Sequence, residues 1–99
     1  MYYTYILYSS KLDSFYKGQT KDLSDRVRRH NAGLEKSTKN GGSWTLLWST
    51  AKESRSEAVR LETKLKNLTR SRLLDFMLRY SEGVEGPDEL LLLQQMSGY

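Results

Sequence analysis

Two aromatic runs near the start of the chain constrain its fold more than any other feature. YYTYILY (2–8) and FYKGQ (15–19) are dense in residues that favour extended backbone, and the SSKLDS between them is dense in turn formers. The pattern predicts a β-hairpin. It sets Tyr5 and Tyr16 on neighbouring antiparallel strands, on one face of the sheet.

The rest of the chain reads as alternating short elements. In KDLSDRVRRHNAG, Asp22 is a natural N-cap, Leu23 and Val27 make an i, i+4 apolar stripe, and Gly33 supplies a stop, so a helix is expected over about 22–32. LEKSTKNGGS (34–43) has no periodicity and reads as an exposed loop with two lysines. WTLLWST (44–50) predicts a third strand. Ser54-x-x-Glu57 is a capping-box pattern, followed by Ala58, Leu61, Leu65 and Leu68 at helical spacing, which predicts a helix over about 55–68. TRSRLLDFMLRY predicts another, starting near Thr69 or Ser71. Pro87 suits the first turn of a last short helix, DELLLLQQM. The order β-β-α-loop-β-α-α implies a small α/β (α+β) domain built on a three-stranded, largely antiparallel sheet flanked by helices.

At 99 residues one domain with one surface site is expected, over residues 1–80, with 81–99 as an acidic tail carrying a short helix. Residues 1–80 hold all 16 Lys and Arg against 8 acids, whereas 81–99 hold 4 acids and no base. A body with an excess of +8 suits a polyanionic partner, because phosphate contacts release condensed counterions. The tail, at −4, suggests a segment that folds over the basic groove. The chain has no cysteine, so thiolate metal sites and disulfides are excluded. No apolar run approaches the length of a membrane span, and MYYTYILYSS does not read as a secretory leader. No membrane association and a cytoplasmic location are the expectations.

With one His and no GxSxG or Walker-type loop, the familiar nucleophile and P-loop chemistries have little support. What remains is a polar set: Tyr5, Tyr16, Gly18, Arg26, His30 and Glu62. Arg26 and His30 are i, i+4 and share one side of the first predicted helix, where they flank its apolar stripe. Each residue also has a plain reading. The tyrosines fill space between strands, Arg26 is a surface charge, His30 complements a helix C-terminus, and Glu62 pairs with Lys66 four residues on.

Taken together and in order, these blocks resemble the GIY-YIG nuclease family, specifically its small stand-alone bacterial members. Tyr3-Thr4-Tyr5 stands at the GIY motif and Tyr16-Lys17-Gly18 at the YIG motif. Gly18-x-Thr20, Asp22-Leu23-x-x-Arg26, His30-Asn31-x-Gly33, SWTLLWS and Glu57-Ala58-x-x-x-Glu62-x-x-x-Lys66 follow, covering about residues 2–78. The GIY block keeps only its tyrosine, Lys17 replaces an aliphatic residue, and a late asparagine of some members has no counterpart.

The resemblance implies a metal-dependent DNA endonuclease of low sequence specificity, in DNA repair or processing. By this likeness Glu62 is the ligand of one Mg²⁺ or Mn²⁺ ion, Tyr5 the candidate base, Tyr16 its partner in positioning water, and Arg26 the stabiliser of phosphoryl charge. His30 contacts phosphate or orients Tyr5, and Gly18 permits close approach of backbone to phosphate or relieves crowding. Lys17, Lys21, Arg28, Arg29, Lys36 and Lys39 add non-specific affinity for DNA, whether structured or nicked. The alternative is a catalytically inactive nucleic-acid-binding module of the same fold. A third reading is an interaction domain that uses Trp44, Trp48 and the Leu-rich tail.

Overall fold

The computed structural model describes residues 1–98. Strands β1 (Tyr2–Ser9), β2 (Ser14–Thr20) and β3 (Trp44–Lys52) form one antiparallel sheet in the order β2-β1-β3. Helix α1 (Leu23–Asn31) lies between β2 and β3 in the chain; α2 (Arg55–Lys66), α3 (Arg70–Arg79), a 3₁₀ turn (Ser81–Gly83) and α4 (Pro87–Met96) follow β3. The fold is α+β, as expected, and each predicted element is present.

Local chemistry explains the boundaries. The Asp22 carboxylate accepts the Asp25 backbone N–H and caps α1; Ser54 and Glu57 form a reciprocal capping box on α2; and the Thr69 hydroxyl caps α3. Pro87 opens α4, where its missing N–H costs no helical bond. At the hairpin tip Asp13 takes a positive φ of 49°, and Arg70 holds it with bonds to its carbonyl and carboxylate.

The two sheet faces are packed differently because strand residues alternate. Ile6, Leu47 and Trp48 join Leu65, Leu73, Leu74, Met77 and Leu93 in an aliphatic core beneath α2, α3 and α4. Tyr5, Leu7 and Trp44 pack on the other face with Tyr16, Leu23 and Val27, under α1. Trp44 and Trp48 are four residues apart and would share a face in a regular strand. A register shift separates them: Leu7 pairs with Leu46 but Ile6 pairs with Trp48, so Leu47 is an extra residue and the alternation flips. Both tryptophans are buried, so neither supplies an exposed interaction surface.

The C-terminal segment packs mainly on β3 and the aliphatic core, and among its described residues only Glu85 reaches the cleft beside α1. Leu93 is wholly buried in the aliphatic core, Val84 bridges to Trp48, and the Glu85 N–H donates to the Leu47 carbonyl at 2.9 Å. The apolar stretch LLLL supplies the reason: it is too costly to leave in water, and α3 offers it a dry surface.

Candidate active site

Strand register builds the centre of the site. Tyr5 is opposite Gly18 and Leu7 opposite Tyr16, so Tyr5 and Tyr16 are diagonal neighbours on the α1 face with ring centroids 6.2 Å apart. A methyl group at Gly18 would lie 2.6 Å from the Tyr5 hydroxyl oxygen and 2.9 Å from the Tyr16 ring. The absent side chain is therefore the space through which the Tyr5 phenol crosses β2. Gly18 serves Tyr5 directly.

The phenol crosses β2 to reach His30, at the end of α1. Tyr5 Oη lies 2.9 Å from His30 Nε2, and His30 Nδ1 lies 2.7 Å from the Thr38 hydroxyl. The Glu35 carbonyl, 3.4 Å from Thr38 Oγ1, can only accept a proton. Thr38 therefore directs its own proton there and receives one from Nδ1–H, which leaves Nε2 as the acceptor for the Tyr5 O–H. Tyr5, His30 and Thr38 are all buried. Burial, with Tyr16 beside it, pushes the Tyr5 phenol well above the ordinary tyrosine range, against an opposing effect of Arg26. Burial also holds the His30 imidazole below its usual pKa, with Arg26 and Arg29 adding to the depression and Glu35 opposing it. His30 is thus a neutral base at pH 7.

Tyr16 stacks at a tilt on His30 with centroids 4.7 Å apart and is half-buried, whereas Tyr5 has 0% exposure. Of the two tyrosines only Tyr16 reaches solvent. Arg26 is half-exposed on the same side of α1 as His30, and its charge acts on the Tyr5 phenol. Its Nε is 3.7 Å from Glu35 Oε1, and the same oxygen takes the Arg29 Nε at 2.8 Å. One carboxylate thus serves two guanidinium groups, and Arg29 holds the Glu35 pKa below its ordinary value.

Sequence reasoning missed Glu35 and Thr38. Both lie in the segment expected to be an exposed loop, and no periodicity marks them. Lys36 and Lys39 there are exposed, but Thr38 and Gly41 are buried. The segment is pinned by Trp44 Nε1 donating to the Thr38 carbonyl, by the Ser9 hydroxyl donating to Gly41, and by Asn31, whose side chain bonds both backbone groups of Trp44.

Tyr5, Tyr16, Arg26 and His30 therefore converge. Glu62 approaches from α2, on the opposite face of the sheet. Its one ion pair is with Lys66, Nζ to Oε2 2.8 Å, and its side chain is 16% exposed. The Lys66 ammonium is raised mainly by Glu62 and also feels Tyr16, which links α2 to the edge of the cluster at β2. Lys17 alternates away from Tyr16 and Gly18; half-buried on the α2 face, it is lowered by burial and by the charge of Lys66. Arg28 is paired with Asp25, and Lys21 lies 5.8 Å from the Tyr2 ring. A cleft of about 910 Å³ runs beside this cluster between Tyr3, Leu23, Val27 and Leu46, and none of the four converging residues lines it.

Among the described residues no three His, Cys, Asp or Glu side chains come together. The carboxylate expected to take a cation is Glu62, whose Oε2 is bonded to Lys66. That single hard oxygen donor fits a dication such as Mg²⁺, which keeps several waters and shares phosphate oxygens, and does not fit a protein-caged metal.

The model of the GIY-YIG catalytic domain matches residues 1–75. A UPF0213 protein of Halalkalibacterium halodurans is 37% identical over 70 residues, 70% of this chain and 73% of that one. Another, of Halobacterium salinarum, is 36% identical over 72 residues, 72% of this chain and 92% of that one. The solution NMR structure of a UPF0213 protein from Bacillus halodurans matches with a TM-score of 0.52 at 33% identity, covering 92% of this chain and 94% of that one.

Proposed function

The chain belongs to the GIY-YIG family, whose domain is that of a nuclease superfamily, and from that premise we propose that it hydrolyses phosphodiester bonds in DNA with a divalent metal ion. The observation that carries this reading is the convergence of Tyr5, Tyr16, Arg26 and His30, with a hydrogen bond aimed from the Tyr5 hydroxyl at a neutral imidazole.

Arg26 is the residue that meets phosphate first. It is half-exposed, and its 3.7 Å contact with Glu35 is loose enough to yield to a phosphate that its planar fork can grip in two places. As Arg26 moves onto the substrate it uncovers the Tyr5 hydroxyl. Tyr5 then takes a proton from the attacking water as its own passes to His30 Nε2, and Thr38 holds the Nδ1–H tautomer throughout. Tyr16, at the solvent edge, orients the water. Burial alone makes Tyr5 a reluctant acid, and the adjacent acceptor is what makes the transfer feasible. Arg26 stabilises the charge that grows on the phosphoryl oxygens.

Glu62 would hold the metal once Lys66 releases Oε2, and the ion would supply Lewis-acid stabilisation of the phosphoryl and leaving oxygens. Arg29, Lys21, Lys36 and Lys39 supply salt-dependent attraction around the cluster.

A specific observation favours a second reading, a binding module without turnover: Glu62, the carboxylate assigned to the metal in the first reading, is already paired with an ammonium. Cleavage of branched, nicked and linear DNA, with and without Mg²⁺ or Mn²⁺, separates the two. Wild-type protein is expected to cleave only with metal, and Glu62→Ala to bind DNA without cleaving it. Full activity in Glu62→Ala overturns the one-metal site; salt-dependent binding with no cleavage of any substrate by wild type establishes the module.

A further inference from the structure

The cations of α1 and those that line one groove beside α2 and α3 are in opposite states. Arg26, Arg28 and Arg29 each have a carboxylate partner. Lys52 at the end of β3, Arg60 and Lys64 on α2, and Arg72 and Arg79 on α3 have none within 4.0 Å among the described residues. These five line three adjoining clefts of about 300, 350 and 220 Å³, all of which include Lys64. Three carboxylates share the clefts, Glu57, Asp75 and Glu82, so the groove keeps a positive excess. Glu57 is engaged by the α2 cap.

An aromatic row runs between the cations. Trp48 meets Phe76 edge-on at 5.2 Å, Phe76 meets Tyr80 at 4.9 Å, Lys64 lies 6.0 Å over Phe76, and Arg79 lies 5.8 Å from Tyr80. Tyr80 ends the row with 41% of its surface exposed, and its backbone is held by the Trp48 indole N–H, which donates to its carbonyl at 2.9 Å. The result is a ring flanked by Phe76 and Arg79 and presented at the surface among cations without carboxylate partners.

Unpaired cations call for phosphates, and an exposed, fixed aromatic ring calls for a flat π-face. A duplex keeps its bases inside its stack and cannot use Tyr80; an unpaired strand supplies both groups at once. We propose that the groove between α2, α3 and β3 binds single-stranded nucleic acid, with a base stacked on Tyr80 and backbone phosphates on Lys64 and Arg79. Lys64 faces Lys52 and Thr50 of β3, whereas Glu62 and Lys66 are turned toward β2, so the groove is a second surface across α2 from the cleavage site. The binding does not depend on whether the Tyr5 cluster cleaves.

The test is a fluorescence-anisotropy titration of a labelled 12-mer of thymidine at several salt concentrations. Tyr80→Ala is expected to weaken binding on the order of 10-fold, and Tyr80→Phe to restore it, because stacking needs the ring and not the hydroxyl. Lys64→Glu with Arg79→Glu, both at exposed positions, is expected to weaken binding further and to flatten its salt dependence. Arg26→Ala is expected to weaken binding less than either groove variant, because Arg26 belongs to the other surface. Equal affinity in wild type and in the charge-reversed protein, or no salt-dependent binding at all, overturns the proposal. So does a loss confined to Arg26→Ala, which assigns the oligonucleotide to the α1 cluster.

Discussion

Tyr5 and Ile6 are adjacent in the chain and both wholly buried, yet they belong to different kinds of interior. Ile6 enters a dry core of Leu47, Trp48, Leu65, Leu73, Leu74, Met77 and Leu93, where the only polar demands are met by backbone. Tyr5 enters a thin layer under one short helix, where its hydroxyl, an imidazole and a threonine are buried together and satisfy one another. One face of the sheet is built to be stable and the other to hold polar groups in a low-dielectric setting at some cost. Mutations should separate the two roles, because few residues contribute to both.

The largest effect on folding is expected from the dry face. Leu65→Ala should cost about 2–5 kcal/mol of stability, read from urea unfolding, because it opens a cavity among side chains that cannot all collapse. Protein that remains folded should keep the Tyr5–His30 contact, read from the His30 ring resonances in NMR spectra; a shift of those resonances would show that the faces are not separate. Gly18→Ala sharpens the comparison from the polar side. The added methyl must displace the Tyr5 phenol, at about 1–3 kcal/mol, and should shift the His30 ring resonances in NMR spectra. Unchanged His30 resonances would mean that Tyr5 does not depend on the gap at Gly18.

The smallest effect is in pH dependence. His30 titrates lower in the folded state than its ordinary 6.5, so the unfolded chain binds the proton more readily. Stability from this group is complete above pH 6.5 and is lost as pH falls from there through the depressed folded value, with a slope of at most about 1.4 kcal/mol per pH unit. Glu35, lowered mainly by Arg29 from 4.5, adds its loss below that value. His30→Gln should remove the first step and leave the second. A wild-type curve flat between pH 7 and 5 would contradict the buried neutral imidazole.

Much of the dry face was legible in the sequence, because helical spacing and the capping box at Ser54 and Glu57 are local signals. The tyrosines, Arg26 and His30 were legible from order and spacing. Leu47 was not: WTLLWST reads as a plain strand, and the extra residue that sends Trp44 and Trp48 to opposite faces is decided by pairing with β1. Thr38 and Glu35 were not legible either, since their partners lie eight and six residues away on a helix that the loop must fold back to meet. The placement of Leu93 in the core, 87 positions from Ile6 in the chain, is likewise a long-range outcome that no local pattern encodes.

The central claim is that the polar face is a phosphodiesterase site with Arg26 at its mouth. It is tested most directly by metal-dependent cleavage of nicked and branched DNA, with wild-type and Arg26→Ala proteins assayed side by side after both are shown to fold. The account predicts cleavage by wild type in Mg²⁺ or Mn²⁺ and a drop in the variant on the order of 100- to 1000-fold, with stability changed by no more than about 0.5 kcal/mol. Equal cleavage by the two proteins, or none by wild type on any substrate, would contradict it.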